Sequence, residues 1–214
     1  MNGEMYESRN SIYCYEGTNV LKNKLNIRDF KDLQKIEARL SAAKLLDLRQ
    51  RGITGNFDKD HLINLHKYIF EDLYYFAGEL RRENIAKGHF SFAEWIYIDE
   101  QLDNILLKLK NENYLENIKN DKMELSKRLA FYLSELNVLH PFREGNGRTL
   151  REFIRQLALK NGYRLNLIKT EPKDFLNASI ESTFDTKNLE NKIYDCLEEV
   201  KWETEERQEE IIIK

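Results

Sequence analysis

Apolar residues return at every third or fourth position through most of this chain, and that period commits it to packed amphipathic helices. Leu33, Ile36, Leu40 and Ala43 form one stripe. Leu62, Leu65, Ile69, Leu73 and Phe76 form a second, and Leu102, Ile105, Leu106 and Leu109 a third. Leu125, Leu129, Tyr132, Leu133 and Leu136 mark a fourth helix, and Leu150, Phe153, Ile154, Leu157 and Ala158 a fifth, with Asn161-Gly162 as its stop. Two further helices are predicted over about 172–184 and 188–202. The stretch 85–92 reads differently: a Lys87-Gly88 turn signal inside a short run predicts a small hairpin. The expected architecture is an all-α bundle with one small β-hairpin.

Composition bounds the rest. With 214 residues, 41% hydrophobic and 33% charged, the chain suits one globular domain over 1–214, and no repeat or low-complexity linker divides it. A formal net charge of −3 gives no basic footprint, so a nucleic-acid partner is not expected. No apolar N-terminal h-region or twenty-residue apolar span occurs, so neither Sec export nor membrane insertion is expected, and a cytoplasmic location is. Cys14 and Cys196 lack metal-ligand spacing and read as reduced core thiols. The charged run 203–214, which ends in Ile211-Ile212-Ile213, reads as a tail whose isoleucines could alternatively dock on a partner.

The chemistry is concentrated in His140-Pro141-Phe142-Arg143-Glu144-Gly145-Asn146-Gly147-Arg148-Thr149-Leu150-Arg151. Pro141 excludes His140 from the right-handed helical region, so one helix ends here and a turn begins. Gly145-Asn146-Gly147 lies where the next helix starts, and glycines there let backbone N–H groups converge on an anion at the positive end of the helix dipole. Arg148, Arg151 and Arg155 share a helix face, and their guanidinium forks match phosphate oxygens, so polyphosphate is the expected ligand. Glu144 would repel phosphate unless a hard cation bridged them, which suits magnesium. His140, with an ordinary pKa of about 6.5, could take a proton from an incoming hydroxyl. Taken singly these are a loop histidine, a helix connection and a solvated arginine face. Within one connection they describe nucleotidyl or phosphoryl transfer.

That segment resembles the signature HPFx(D/E)GNGRxxR of the Fic family. The similarity continues in Leu73-Tyr74-Tyr75-Phe76-Ala77-Gly78-Glu79-Leu80-Arg81, in Ile85-Ala86-Lys87-Gly88-His89-Phe90, in Tyr15-Glu16-Gly17-Thr18-Asn19-Val20-Leu21-Lys22-Asn23 and in Thr54-Gly55-Asn56-Phe57, covering about 15–200. The resemblance implies a single Fic-type helical bundle with a hairpin flap. It also implies transfer of AMP from ATP to a Ser, Thr or Tyr hydroxyl of a target protein. His140 would be the general base, Glu144 would hold Mg2+, and Gly145, Asn146 and Gly147 would cradle the phosphates. Arg148 and Arg151 would hold the β and γ phosphates, Phe142 would anchor the loop, and Lys87, Gly88 and Arg143 are assigned to nucleotide binding. The target would lie along the flap, about Ile85 to Phe92.

Relatives that phosphorylate carry Lys in the region of the second glycine and arginine, and Gly147 and Arg148 argue against that variant. Another nucleotide donor, or a module that binds nucleotide without turnover, are the alternatives. Family members are typically restrained by a helix with (S/T)xxxE(G/N), matched here only by Thr186-Lys187-Asn188-Leu189-Glu190-Asn191. The preferred expectation is a separate small antitoxin whose glutamate sits near Arg151, with Glu190 in cis as the alternative. His61, His66 and His89 are not assigned to catalysis, His66 being read as structural.

Overall fold

Helices α4 (Lys122–Leu139) and α5 (Asn146–Lys160) occupy the centre of the protein because each is apolar around enough of its circumference to be enclosed. On α4, Leu125, Leu129, Ala130, Tyr132, Leu133, Leu136 and Leu139 are buried, and on α5 Leu150, Phe153, Ile154, Leu157 and Ala158 are. The computed structural model describes residues 11–51, 55–88 and 90–200. Thr54, His89 and the run 203–214 therefore lie outside the described residues.

Around the central pair, α2 (Lys59–Phe70) packs on α5 and also against α1 (Phe30–Arg51). Helices α3 (Ile98–Asn111) and α7 (Lys187–Cys196) pack on α4, and α6 (Pro172–Glu181) packs on α7. Local chemistry sets the boundaries. Asp58 and Asp121 cap α2 and α4 by accepting from His61 N and Glu124 N, and Pro172 opens α6, where its missing N–H costs nothing. Gly162, at φ 84°, lets the chain turn out of α5.

The expected hairpin is present: β1 (Ala86–Lys87) pairs antiparallel with β2 (Phe90–Ser91), Lys87 facing Phe90. A second small sheet was not expected. There β3 (Tyr163–Leu165) pairs antiparallel with β4 (Leu197–Glu199), so the helix predicted over 188–202 stops at Cys196. The reason is tertiary. Tyr163 and Leu165 insert into the core while Arg164 faces out, and the backbone edge left by β3 is satisfied by residues 197–199.

Two other stripes need correction. Leu73 and Phe76 are buried, but from turns after α2 has ended at Phe70, where Tyr74 bridges to Asn23 and Lys24 N donates to Leu73 O. On α1 the buried face runs through Leu33, Ser41 and Leu48, and Ala43 is exposed. Cys14 and Cys196 are buried free thiols. No helix among the described residues is long and apolar enough to cross a membrane.

Candidate active site

The corner between α4 and α5 is built from its backbone outward. His140 ends α4 in the left-handed region at φ 50° and ψ 62°, its N–H still bonded to Leu136 O at 2.9 Å. A residue before proline is ordinarily extended; here the left-handed turn reverses the chain at the end of the helix, at a cost on the order of 1–2 kcal/mol for a residue with a Cβ. His140 Nδ1 lies 3.1 Å from Asn137 O, which assigns the proton to Nδ1 and the lone pair to Nε2. The ring stacks on Phe92, the residue that follows β2, at 3.8 Å and 23°. Burial, helped by the charges of Arg81 and Lys87, lowers the pKa of His140 to about 3, so the imidazole is neutral at physiological pH.

The next residues are locked to the core. Phe142 is wholly buried and lies flat on His66, 3.8 Å away at 1°. Asn146 closes the loop through its side chain, accepting from Phe142 N at 2.9 Å and donating to Phe142 O at 2.6 Å. The Asn146 amide is therefore a brace, and only its backbone could join an anion site. His66 Nδ1 accepts from Gly78 N at 2.8 Å, so its Nε2–H donates to Glu144 O at 3.0 Å, and burial lowers its pKa to about 3. This histidine, read from the sequence as merely structural, sets the orientation of the Glu144 peptide.

Gly145 has two reasons to be glycine. Its φ is 81°, and a Cβ there would stand 2.2 Å from the Phe70 ring. Gly147 makes room for Arg151, whose Nη1 would lie 2.9 Å from an added Cβ. Gly145 is the N-cap of α5 and no side chain caps that helix, so the N–H groups of its first turn have no capping side chain as acceptor.

Of Arg143, Arg148, Arg151 and Arg155, three have a carboxylate partner among the described residues and one does not. Arg143, assigned from the sequence to nucleotide binding, is instead turned inward: its side chain is 5% exposed and its Nε donates to Glu83 at 2.8 Å. Arg155 forms a two-pronged pair with Glu152, at 2.8 and 2.7 Å, so the expected open stripe of three arginines does not extend to it. Arg148 is gripped by Glu37 and donates to Ser41 Oγ at 2.9 Å, with Glu144 at 3.7 Å. Arg151 has no carboxylate partner among the described residues; burial and repulsion from Arg148 lower its pKa to about 10.

Sequence reasoning missed Glu37 and Ser41. They lie four residues apart on the inner face of α1, and the Tyr74 hydroxyl donates to Glu37 as well. The available signal was a polar pair, Glu37 and Ser41, at helical spacing within the stretch from Leu33 to Ala43. Burial first, and then the Glu37 carboxylate, raise the pKa of Glu144. Both contacts of the Glu144 carboxylate fall on Oε1, namely Gly145 N at 2.9 Å and Arg148. Oε2 thus has no partner among the described residues.

In the hairpin, Gly88 takes the turn at φ 57°, and Lys87 reaches the site through its charge on His140. Glu190 is engaged in its own helical turn, by Thr186 Oγ1 at 2.7 Å and Lys187 Nζ at 3.5 Å.

Two neutral buried imidazoles carry a consequence for stability. The folded-state pKa values of His66 and His140, about 3, lie below the unfolded value near 6.5, so between these limits the unfolded chain binds more protons. Their contribution is complete above about pH 6.5 and is lost as pH falls toward 3. Thermal melts from pH 8 to pH 4 are expected to show Tm falling below about pH 6.5, more steeply than in the His66→Phe variant.

Comparison with known proteins follows the same lines. Residues 56–158 match the model of the Fic/DOC family. The protein adenylyltransferase VbhT of Bartonella schoenbuchensis is 39% identical over 184 residues, covering 86% of this chain and 38% of VbhT. The probable protein adenylyltransferase y4lH of Sinorhizobium fredii is 34% identical over 177 residues, covering 83% of this chain and 90% of y4lH. The N-terminal Fic domain of a VirB-translocated Bep effector protein from Bartonella quintana, solved with bound ADP, superposes with a TM-score of 0.83. It is 24% identical and covers 88% of this chain and 95% of that domain, which establishes the shared fold. The chain thus spans 38% of the length of VbhT.

Proposed function

The chain belongs to the Fic/DOC family, and from that membership we propose that it is a protein adenylyltransferase. A Ser, Thr or Tyr hydroxyl of a target protein attacks the α-phosphorus of ATP, the bond to the β-phosphate breaks, pyrophosphate leaves, and the proton goes to His140. The observation that carries this reading is Arg151. It is a guanidinium without a carboxylate among the described residues, beside the uncapped start of α5, where its neighbours Arg143, Arg148 and Arg155 each have one. Such a site is charged for a multiply anionic ligand.

In this reading the first-turn amides of α5 and Arg151 hold the phosphate chain, and Arg148 adds its charge from the position fixed by Glu37 and Ser41. His140 presents Nε2 as the acceptor because Nδ1 is committed to Asn137 O. The triphosphate supplies negative charge that opposes the burial effect on the imidazole, so proton acceptance is favoured only when nucleotide is in place. Glu144 fits magnesium: a carboxylate with one oxygen unengaged among the described residues is a suitable single protein ligand for a cation whose other ligands are phosphate and water. Bound there, the cation would neutralise phosphate charge during transfer.

Inhibition by a separate small protein accords with the same geometry. The oxygens of Glu190 are used by Thr186 and Lys187, and Arg151 has room in its electrostatics for a carboxylate from outside. A partner glutamate paired with Arg151 would compete with phosphate.

The deciding experiment is incubation of the purified chain and a cell lysate with ATP radiolabelled at the α-phosphate or the γ-phosphate. Label is expected in a protein band from the α-labelled nucleotide alone. Label from the γ-position would make it a kinase, and bound nucleotide without label in protein would make it a binding module. Parallel reactions with GTP and UTP read the donor preference.

A further inference from the structure

The segment entering the hairpin carries two charged side chains, Arg81 and Glu83, that the transfer chemistry does not use. Arg81 is 1% exposed, and its guanidinium is engaged with main-chain carbonyls. Nε donates to His140 O at 2.8 Å and Nη1 to Glu83 O at 2.7 Å; Nη2 donates to Ala93 O and, at 3.2 Å, to Leu139 O. Its own amide donates to Pro141 O at 2.9 Å. Leu139 and His140 are the last carbonyls of α4, where the helix dipole is negative and the orphan acceptors need donors. Glu83 precedes β1 and Ala93 follows β2. One planar guanidinium therefore spans both feet of the hairpin and the turn that carries the base.

A second strap runs parallel to the first. The Glu83 carboxylate pairs with Arg143 Nε at 2.8 Å and also accepts from Ser11 Oγ at 2.6 Å and Ile12 N at 3.1 Å. Ala93 N donates to Val138 O at 3.3 Å, and Phe92 lies on the His140 ring. The hairpin is thereby held to the catalytic turn on both sides.

We propose that Arg81 and the Glu83–Arg143 pair are positioning residues, fastening both feet of the hairpin to the His140 turn so that an extended target segment paired with the hairpin edge brings its hydroxyl into register with Nε2. The role rests on the transfer reaction proposed above; the fastening does not. An extended peptide added to an exposed strand edge is located by main-chain hydrogen bonds, so its reactive side chain is placed only as well as the hairpin itself. Lysine could not replace Arg81, since an ammonium on a flexible stem cannot serve carbonyls in several directions of one plane.

The test uses the full chain with Arg81→Lys and, as the milder change, Glu83→Gln, which retains a hydrogen bond to Arg143 but not the charge. Thermal melts establish folding, calorimetry measures ATP binding, nitrogen NMR of the imidazoles reads the His140 tautomer, and lysate labelling from α-labelled ATP reads transfer. Folded Arg81→Lys is expected to bind ATP within about twofold of wild type and to lose about 10- to 100-fold in transfer. His140 should change from a single Nδ1–H form to a tautomer mixture. Glu83→Gln should move the same readouts less, and it decides the matter if Arg81→Lys does not fold. A folded variant with a wild-type imidazole spectrum and wild-type transfer overturns the proposal, as does ATP affinity falling in step with transfer. If wild type itself labels nothing, the adenylyltransferase reading fails, while the imidazole spectra still judge the fastening.

Discussion

His140→Ala is expected to lower label transfer from ATP by about 10²- to 10⁴-fold, the usual contribution of a positioned general base. ATP affinity is expected to stay within about twofold, because the imidazole acts on the acceptor hydroxyl and not on the phosphates. The structure supplies the reason for the separation. Nucleotide contacts are proposed for the start of α5 and Arg151, whereas His140 lies at the end of α4, under Phe92, with its Nδ1 held by Asn137 O. Loss of the ring removes one stacked partner of Phe92, so stability is expected to fall by about 1–2 kcal/mol. Calorimetry with ATP alongside the labelling assay distinguishes the outcomes. Retained transfer would take His140 out of the mechanism, and loss of ATP binding would make it a nucleotide ligand.

Arg151→Ala is expected to reduce transfer by about 10²-fold, since phosphate oxygens would lose a charged fork and the α-phosphorus its alignment. Unlike most substitutions near a core, it should not destabilise the protein. Arg151 carries a positive charge with no carboxylate among the described residues and is opposed by Arg148, so removing it relieves repulsion. Tm is expected to hold or rise. Arg148→Ala supplies the contrast: it strands Glu37 beside Glu144 and Tyr74, so both Tm and activity should fall. Equal destabilisation by the two variants would contradict the assignment of Arg151 as the arginine reserved for an anion.

The difference between these arginines was not legible in the sequence. Arg148, Arg151 and Arg155 stand at spacings that place them on one helix face, and helical geometry alone treats them as equivalent. The partner of Arg148 comes from elsewhere in the chain, Glu37 on α1; only Glu152, three residues before Arg155 on the same helix, was a local pair that the spacing could show. Arg143 had the same ambiguity, since its position inside the motif says nothing of Glu83, sixty residues earlier, into which it points. Long-range ion pairs leave no local pattern because a side chain meets them only after helices have packed.

Much of the rest was written in the chain. Helical periodicity marked the helices, because a stripe of apolar residues has only one way to leave water. Pro141 marked the end of α4, and Gly145 marked a turn at positive φ whose backbone lies too close to the Phe70 ring for a Cβ. Tertiary structure decided what neighbours decide: the end of α7 where β3 offers an edge to residues 197–199, the inward turn of Glu37 and Ser41, and the covering of His140 by Phe92. The sequence determines which conformations each segment favours and which chemistry it can carry. Hydrogen bonds and charges close only between segments brought together by the fold, so partner, burial and proton affinity belong to the folded molecule.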